Sequence, residues 1–332
     1  MMDQDPLKMT ALARTRARFG ALAVLAAVTL AACGGGSDAP EATGEPAVAA
    51  PAQQPGGDMI IVSGASGQLG GMVVDDLLEL GVAPSRLILV SRTPDGLQRY
   101  AAMGASTRFG DFTQPESLAA AYAGGDRMLL ISINSDVGGR RADLHKTAID
   151  AAVAAGVRRI AYTSLVDLDN NNSALAADHK RTEQFLRDSG VAWTMLRNNL
   201  YMDGVVTEAI NMLVDGRVES RTTGGIGYVT RADCAAAAAA VLATDGHDNR
   251  AYDITGPAVV FPQDIARALT EVTELPVRIV DPSGQAPASG PLSSPSFAVV
   301  STAVQELTGR APLSVHDLLL LHHDEIMAGT GA

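Results

Sequence analysis

The chain has little cysteine, few aromatic rings and a shortage of positive charge. Two cysteines, Cys33 and Cys234, stand among 332 residues. Two cannot build a disulfide framework or a cysteine zinc site, and no metal is expected. Aromatic residues make up 4% of the chain. Lys and Arg number 25 against 37 acids, a formal net charge of -12. Such a surface repels phosphate backbones, which argues against a nucleic-acid partner. There is no internal repeat of solenoid period. The longest apolar run, Ala21 to Ala32, is too short to span a bilayer comfortably. What the chain does have is 47% hydrophobic residues, enough for one large domain or two small ones.

The most informative stretch is Met59 to Gly71. Ile60, Ile61 and Val62 form a β-branched run of the kind that makes a buried parallel strand. Gly64, Gly67 and Gly70 follow with the spacing GxxGxxG, enclosing Ser66, Gln68 and Leu69. Val73, Leu77 and Leu80 then recur at helical intervals. Strand, glycine turn and helix together present a helix N-terminus to an anionic group. Gly64 permits the tight turn, Gly67 lets the backbone approach a pyrophosphate, and Gly70 lets the helix pack closely on the strand. The alternative is a structural turn without a ligand.

Residues 1–58 read as lying outside the fold. Lys8, Arg14, Arg16 and Arg18 precede the apolar run, a pattern of secretory signals. The run ends in Leu30-Ala31-Ala32-Cys33-Gly34, which resembles a bacterial lipobox and makes Cys33 the expected lipidation site. Gly34 to Asp58, rich in Pro, Ala, Gly and Ser, reads as a disordered tether. The expected location is therefore the bacterial cell envelope, with a lipid anchor as the sole membrane contact. A cytoplasmic protein is the alternative if translation starts at Met59. The two readings conflict over supply, because a periplasm is not expected to hold free NADPH.

Downstream, apolar runs at Leu87–Val90, Ser106–Phe109, Met128–Ile133, Arg159–Thr163 and Val191–Leu196 read as strands alternating with helices. The fold class is thus α/β: a Rossmann-like doubly wound parallel sheet with a small C-terminal α/β substrate-binding part. Residues 59–196 read as the NAD(P)-binding domain, and 197–332 as a substrate-binding part interleaved with it. Arg92 closes the second strand where an acid would accept the ribose hydroxyls of NAD. A guanidinium there suits the extra phosphate, so NADP(H) is expected over NAD(H). Asp111 and Phe112 border the adenine, or else are a turn acid and a core ring. Asn134 and Ser164 end strands beside the cofactor cleft. Asn198 and Tyr201 follow where a substrate pocket would open. His145 reads as a structural helical histidine.

A family likeness is carried by Ser63 to Gly70, Val90-Ser91-Arg92, Tyr162-Thr163-Ser164, His179 with Glu183, and Leu196-Arg197-Asn198. These resemble the NmrA-like atypical short-chain dehydrogenases, and among them the NAD(P)H:quinone oxidoreductases of type two. The resemblance implies hydride transfer to quinones or similar conjugated electrophiles. It also exposes a departure. Ordinary short-chain dehydrogenases use a YxxxK pair, and here the lysine position is His179 and the tyrosine position Leu175. A quinone needs no phenol acid, since its oxygens take protons from water. His179 is then a positioning residue for the nicotinamide ribose or the substrate, or else an exposed helical residue. A redox sensor that binds NADP(H) without turnover fits the same departure. A homodimer stays open.

Overall fold

The strands β1 (Ile60–Ser63), β2 (Leu87–Ser91) and β4 (Arg127–Leu130) are buried along their whole length. Such strands lose water on both faces and so belong in the middle of a covered parallel sheet. With β3 (Ser106–Phe109), β5 (Arg159–Leu165), β6 (Ala192–Asn198) and β8 (Arg250–Ile254) they form one seven-stranded sheet in the order β3-β2-β1-β4-β5-β6-β8. Every pairing in it is parallel. The register places Ser63 beside both Val90 and Leu130. The strand order reverses at β1, which leaves a crevice between the carboxyl ends of β1 and β4. This is a computed structural model; it describes residues 58–133, 139–219, 224–280 and 294–330, all within one unit of chain running from Pro55 to Ala332. Cys33, the lipobox, the tether up to residue 57 and Asn134 lie outside the described residues.

Helices cover both faces. α1 (Gln68–Glu79) follows β1, α2 (Gln98–Ala102) and α3 (Leu118–Tyr122) flank β3, and α4 (Arg141–Ala154) and α5 (Ala174–Asp188) follow β4 and β5. α6 (Gly204–Asp215) and α7 (Arg231–Ala243) follow β6, and α8 (Pro262–Thr273) follows β8. One face of the sheet buries Val73, Val74 and Leu77 of α1 against the alanines of α7, Ala235 and Ala237 to Ala239. The small side chains let the two helices approach closely. The other face buries Leu118, Tyr122, Ala148, Ile149 and Leu186. Caps fix several starts: Ser173 accepts from Ala176 N at α5, and Thr230 from Asp233 N at α7.

The C-terminal lobe has its own core of Met202, Val206, Ala209, Leu269, Leu318 and Ile326. α9 (Ala303–Thr308), α10 (Val315–Leu321) and α11 (His323–Thr330) complete the chain. β7 (Arg217–Glu219) and β9 (Arg278–Val280) pair in parallel as a separate ribbon. Because β8 returns to the main sheet, this part of the chain is threaded through the nucleotide-type fold and not appended to it.

Several elements differ from expectation, among them β4 and α6. β4 stops at Leu130, three residues early, because side chains take over the next amides: Ser132 N donates to Thr163 Oγ1 at 2.8 Å and Ile133 N to His145 Nε2 at 3.1 Å. α6 lacks any sequence expectation, although Val205, Val206, Ala209 and Met212 mark its buried face.

The amino edge of the sheet is closed by charge. Asp58 Oδ2 accepts from Arg127 Nη2 at 2.6 Å and Oδ1 from Arg158 Nη2 at 2.9 Å. Arg127 also donates to the carbonyls of Leu242 and Thr244. The Arg127 guanidinium holds the Asp58 carboxyl below its usual range.

Candidate functional site

Gly64 leaves β1 with φ +83°, a conformation that side chains rarely adopt. Its amide and that of Ala65 both donate to Val90 O, at 2.9 and 3.1 Å, and turn the chain across β2. A Cβ on Gly70 would collide with Gly64 O and come within 2.8 Å of Ala65 Cα. Gly67 is different. Its backbone is ordinary, φ -77° and ψ 166°, and an added Cβ would meet only Gly64 O, at 3.2 Å. The backbone angles suit any residue, and an added methyl would press that carbonyl back by a few tenths of an ångström. Gly67 is the N-cap of α1, and no side chain caps the helix. Gln68 is exposed, while Leu69 packs into the core. The first amides of α1 thus face outward with a positive field.

Beside this turn, Ser66 Oγ lies 2.6 Å from Ser91 Oγ, and Ser91 Oγ accepts from Thr93 N at 2.9 Å. Arg92, between Ser91 and Thr93 in sequence, is exposed and, among the described residues, without an ion pair. Hydroxyls and a free guanidinium at the end of β2 form a donor set for a phosphate, and none of Ser91, Arg92 and Thr93 is acidic. Asp111 spends Oδ1 on the amide and hydroxyl of Thr113, at 2.9 and 2.8 Å, as a turn acid does. Phe112 is half-buried and meets the His145 ring edge-on at 6.5 Å.

Past β4, the chain is clamped. Ile133 N donates to His145 Nε2, and Ile133 O accepts from Arg141 Nε at 2.7 Å. Because Nε2 accepts, the His145 proton sits on Nδ1, which reaches Thr182 Oγ1 at 3.0 Å. Burial, aided by the Arg141 guanidinium, pushes His145 down to about 3. His179 is also buried, at 4% exposure, and not a surface residue of its helix. Its Nδ1 lies 2.9 Å from Tyr162 Oη. Burial again lowers its pKa, followed by Arg141 and His145. Both rings are neutral at physiological pH. Leu175 holds the usual tyrosine position, half-buried. Tyr162 does not replace that phenol: it is fully buried in the sheet core, and burial pushes its hydroxyl up.

Ser164 donates to Glu183 Oε1 at 2.7 Å, so its hydroxyl is engaged from the α5 side. Glu183 in turn takes Arg197 Nε at 2.9 Å and Nη2 at 2.8 Å, and Arg187 Nη2 at 2.7 Å. Asn198 ends β6 with Nδ2 3.3 Å from Tyr201 Oη and Oδ1 buried without a partner. Arg231 lies over the Tyr201 ring, 5.0 Å from its centre. The glycine turn, Arg92, Ser164, Asn198 and Tyr201 therefore share the carboxyl edge of the sheet. The clamp by Arg141 and His145 had no signal in the sequence beyond the residues themselves.

An uncapped helix start at the point where strand order reverses is where a doubly wound sheet takes up a dinucleotide. The chain is a Rossmann-type nucleotide-binding protein. A family model described as NAD(P)H-binding matches residues 64–245, and the chain belongs to that family. It is 39% identical over 214 residues to quinone oxidoreductase 2 of Escherichia coli strain K12, which covers 64% of this chain and 74% of the relative. The crystal structure of an NADPH-dependent quinone oxidoreductase from Escherichia coli, complexed with NADPH, superposes with a TM-score of 0.73 at 32% identity, covering 80% of this chain and all of that one. The Citrobacter sp. triphenylmethane reductase complexed with NADP(H) gives a TM-score of 0.71 at 30% identity, with 78% and 98% covered.

Proposed function

We propose that the chain is an NADPH-dependent reductase of quinones and similar conjugated electrophiles. The observation that carries this is the intact glycine turn beside a site in which Leu175 stands where the proton-donating tyrosine is usual. Bound at the turn, NAD(P)H supplies a hydride. The chain's own residues then bind and orient: the α1 amides face the diphosphate, and Arg92 with Ser66, Ser91 and Thr93 faces the ribose phosphate. The clamped Ile131–Ile133 segment shapes the cleft wall. Catalysis of this kind rests on position and a dry, polar surrounding rather than on proton donation. The relatives named for quinone and dye reduction support the substrate class.

The preference for NADPH over NADH rests on Arg92, exposed at the end of β2 next to the hydroxyls of Ser91 and Thr93. The lipid anchor on Cys33 and location in the cell envelope rest on the lipobox-like Leu30 to Gly34. Cys33→Ser should release the protein from membranes; recovery of the parent in the cytosol, starting at Met59, would reject the anchor. A homodimer would be decided by sedimentation of the folded part.

The deciding experiment is steady-state oxidation of NADPH by benzoquinone, with deuterated cofactor to identify hydride transfer. An isotope effect, and a rate without dependence on a group titrating near pH 10, are expected. Leu175→Tyr should leave that rate unraised. Tight NADPH binding without turnover of any quinone would favour a sensor that binds the nucleotide and reports its state.

A further inference from the structure

Five buried side-chain atoms lack a hydrogen-bond partner among the described residues, and three of them lie past the carboxyl ends of neighbouring strands. They are Arg141 Nη1 after β4, Asn171 Nδ2 after β5 and Asn198 Oδ1 at the end of β6. Buried polar atoms are normally paired, so orphans gathered at one edge point to a polar ligand there.

Arg141 is the most demanding of the three. It is 6% exposed and, among the described residues, forms no ion pair. Two acids of the neighbouring helices pair elsewhere: Asp143 with Arg181 at 2.6 Å, and Glu183 with Arg187 and Arg197. A buried guanidinium without a carboxylate is unfavourable. Its structural task, the bond from Nε to Ile133 O, needs one N–H and no charge. Burial first, and this charge second, hold two neighbouring histidines, His145 and His179, away from protonation. Among the described residues, then, no carboxylate pairs with this buried cation, and its Nη1 donates to nothing.

We propose that Arg141 is a catalytic residue whose Nη1–H donates to the oxygen that becomes anionic when the electrophile is reduced. This rests on the reductase reading above. The electrophile gains one hydrogen and two electrons as hydride, and a new C–H or O–H bond forms. The displaced π pair settles on a carbonyl oxygen. Arg141 holds that oxyanion with a charge-assisted hydrogen bond, and cannot itself give up a proton. Water then protonates the oxygen and leaves hydroxide; the nucleotide departs oxidised and the product is the hydroquinone. Leu175 supplies no acid, and of the buried donors at this edge that stand unpaired among the described residues, the guanidinium alone carries a positive charge.

The test uses the full chain with NADP+ bound and 4-nitrophenol as a probe, whose phenolate is coloured. At a pH just below the probe's own pKa, binding to the parent should deepen the phenolate band, and Arg141→Met should abolish that gain. With benzoquinone, Arg141→Met should lower kcat on the order of 10²-fold. Its calorimetric Kd for NADPH should stay within about threefold of the parent. If Arg141→Met does not fold, Arg141→Lys carries the test. One ammonium cannot serve both Ile133 O and the oxyanion, so kcat should fall about tenfold. An equal phenolate band in parent and variant overturns the proposal. So does a variant with weakened NADPH binding and unchanged kcat, which would make Arg141 a reader of nucleotide phosphate. A parent that reduces no quinone rejects the reductase reading, whereas the phenolate band is read without turnover and judges Arg141 separately.

Discussion

Glu183 and Arg197 face each other as a buried two-point pair, Oε1 to Nε at 2.9 Å and Oε2 to Nη2 at 2.8 Å, with Glu183 only 1% exposed. The pair ties α5 to β6, and Ser164 of β5 donates to the same carboxylate. Removing one partner leaves the other charged and dry. Glu183→Gln should destabilise the protein by about 3–5 kcal/mol. Urea denaturation of parent and variant measures this; a loss below about 1 kcal/mol would mean that water or Asp169 takes over Arg197.

Arg92→Ala should remove the distinction between NADPH and NADH. A charge-assisted contact to one phosphate contributes about 1–3 kcal/mol, so the loss should fall on NADPH alone. Titration calorimetry with both nucleotides reads it directly. Equal affinities in the parent would show that Arg92 does not meet a phosphate.

Gly70→Ala should disturb the turn before it disturbs the sheet. The new methyl runs into Gly64 O and Ala65 Cα, both backbone atoms that cannot rotate away. Overpacking of this kind costs about 1–3 kcal/mol. Nucleotide affinity should fall more than stability does, because α1 must move out along the bond vectors that face the ligand. Gly67→Ala is the contrast: the turn should tolerate it, while NADPH binding should not.

Acid should weaken the fold through its buried histidines. An unfolded histidine takes a proton near pH 6.5, whereas folded His145 does so only at about 3. Between these values the unfolded chain binds the extra proton. The contribution of His145 is therefore full above about pH 6.5 and is lost as pH falls, at about 1.4 kcal/mol per pH unit. His179 acts in the same sense. Asp76 opposes them: burial, then Glu79, pushes its carboxyl up to about 7. Folded Asp76 holds a proton that the unfolded chain has shed, so its contribution is lost as pH rises from about 4 to about 7. Denaturation midpoints across this window should show a shallower acid loss in His145→Gln and a steeper one in Asp76→Asn. Parallel slopes in all three proteins would contradict both assignments.

Much of the sheet could be read from sequence because its strands are short, apolar and bounded by turn residues. The glycine turn was legible for the same reason: Gly64 and Gly70 answer to backbone sterics that spacing reveals. α5 was not. Its buried face is Ala176, His179, Thr182, Glu183 and Leu186, in which polar residues occupy the positions that periodicity reserves for apolar ones. Hydropathy therefore places His179 outside, although its ring is packed against Tyr162. The Glu183–Arg197 pair and the Arg141 clamp are long-range partnerships, and no local pattern announces which residue will meet which. α6 was readable in principle, from the apolar spacing of Val205 to Met212, but the polar residues before it drew attention to the pocket instead.

The clamp at Asp58 bears on how this protein can be handled. The described residues begin with Asp58 at the amino end of β1, opposite the nucleotide turn, and three arginines, Arg86, Arg127 and Arg158, grip that single residue. A bead, an electrode or a fusion partner coupled ahead of it would load the rim where β4 and β5 begin. Tension applied there is shared among guanidinium contacts and strand starts before it can reach Gly64. Immobilisation through the amino terminus should therefore leave the opposite rim open to diffusing reactants, whereas coupling through exposed groups near Arg92 should not.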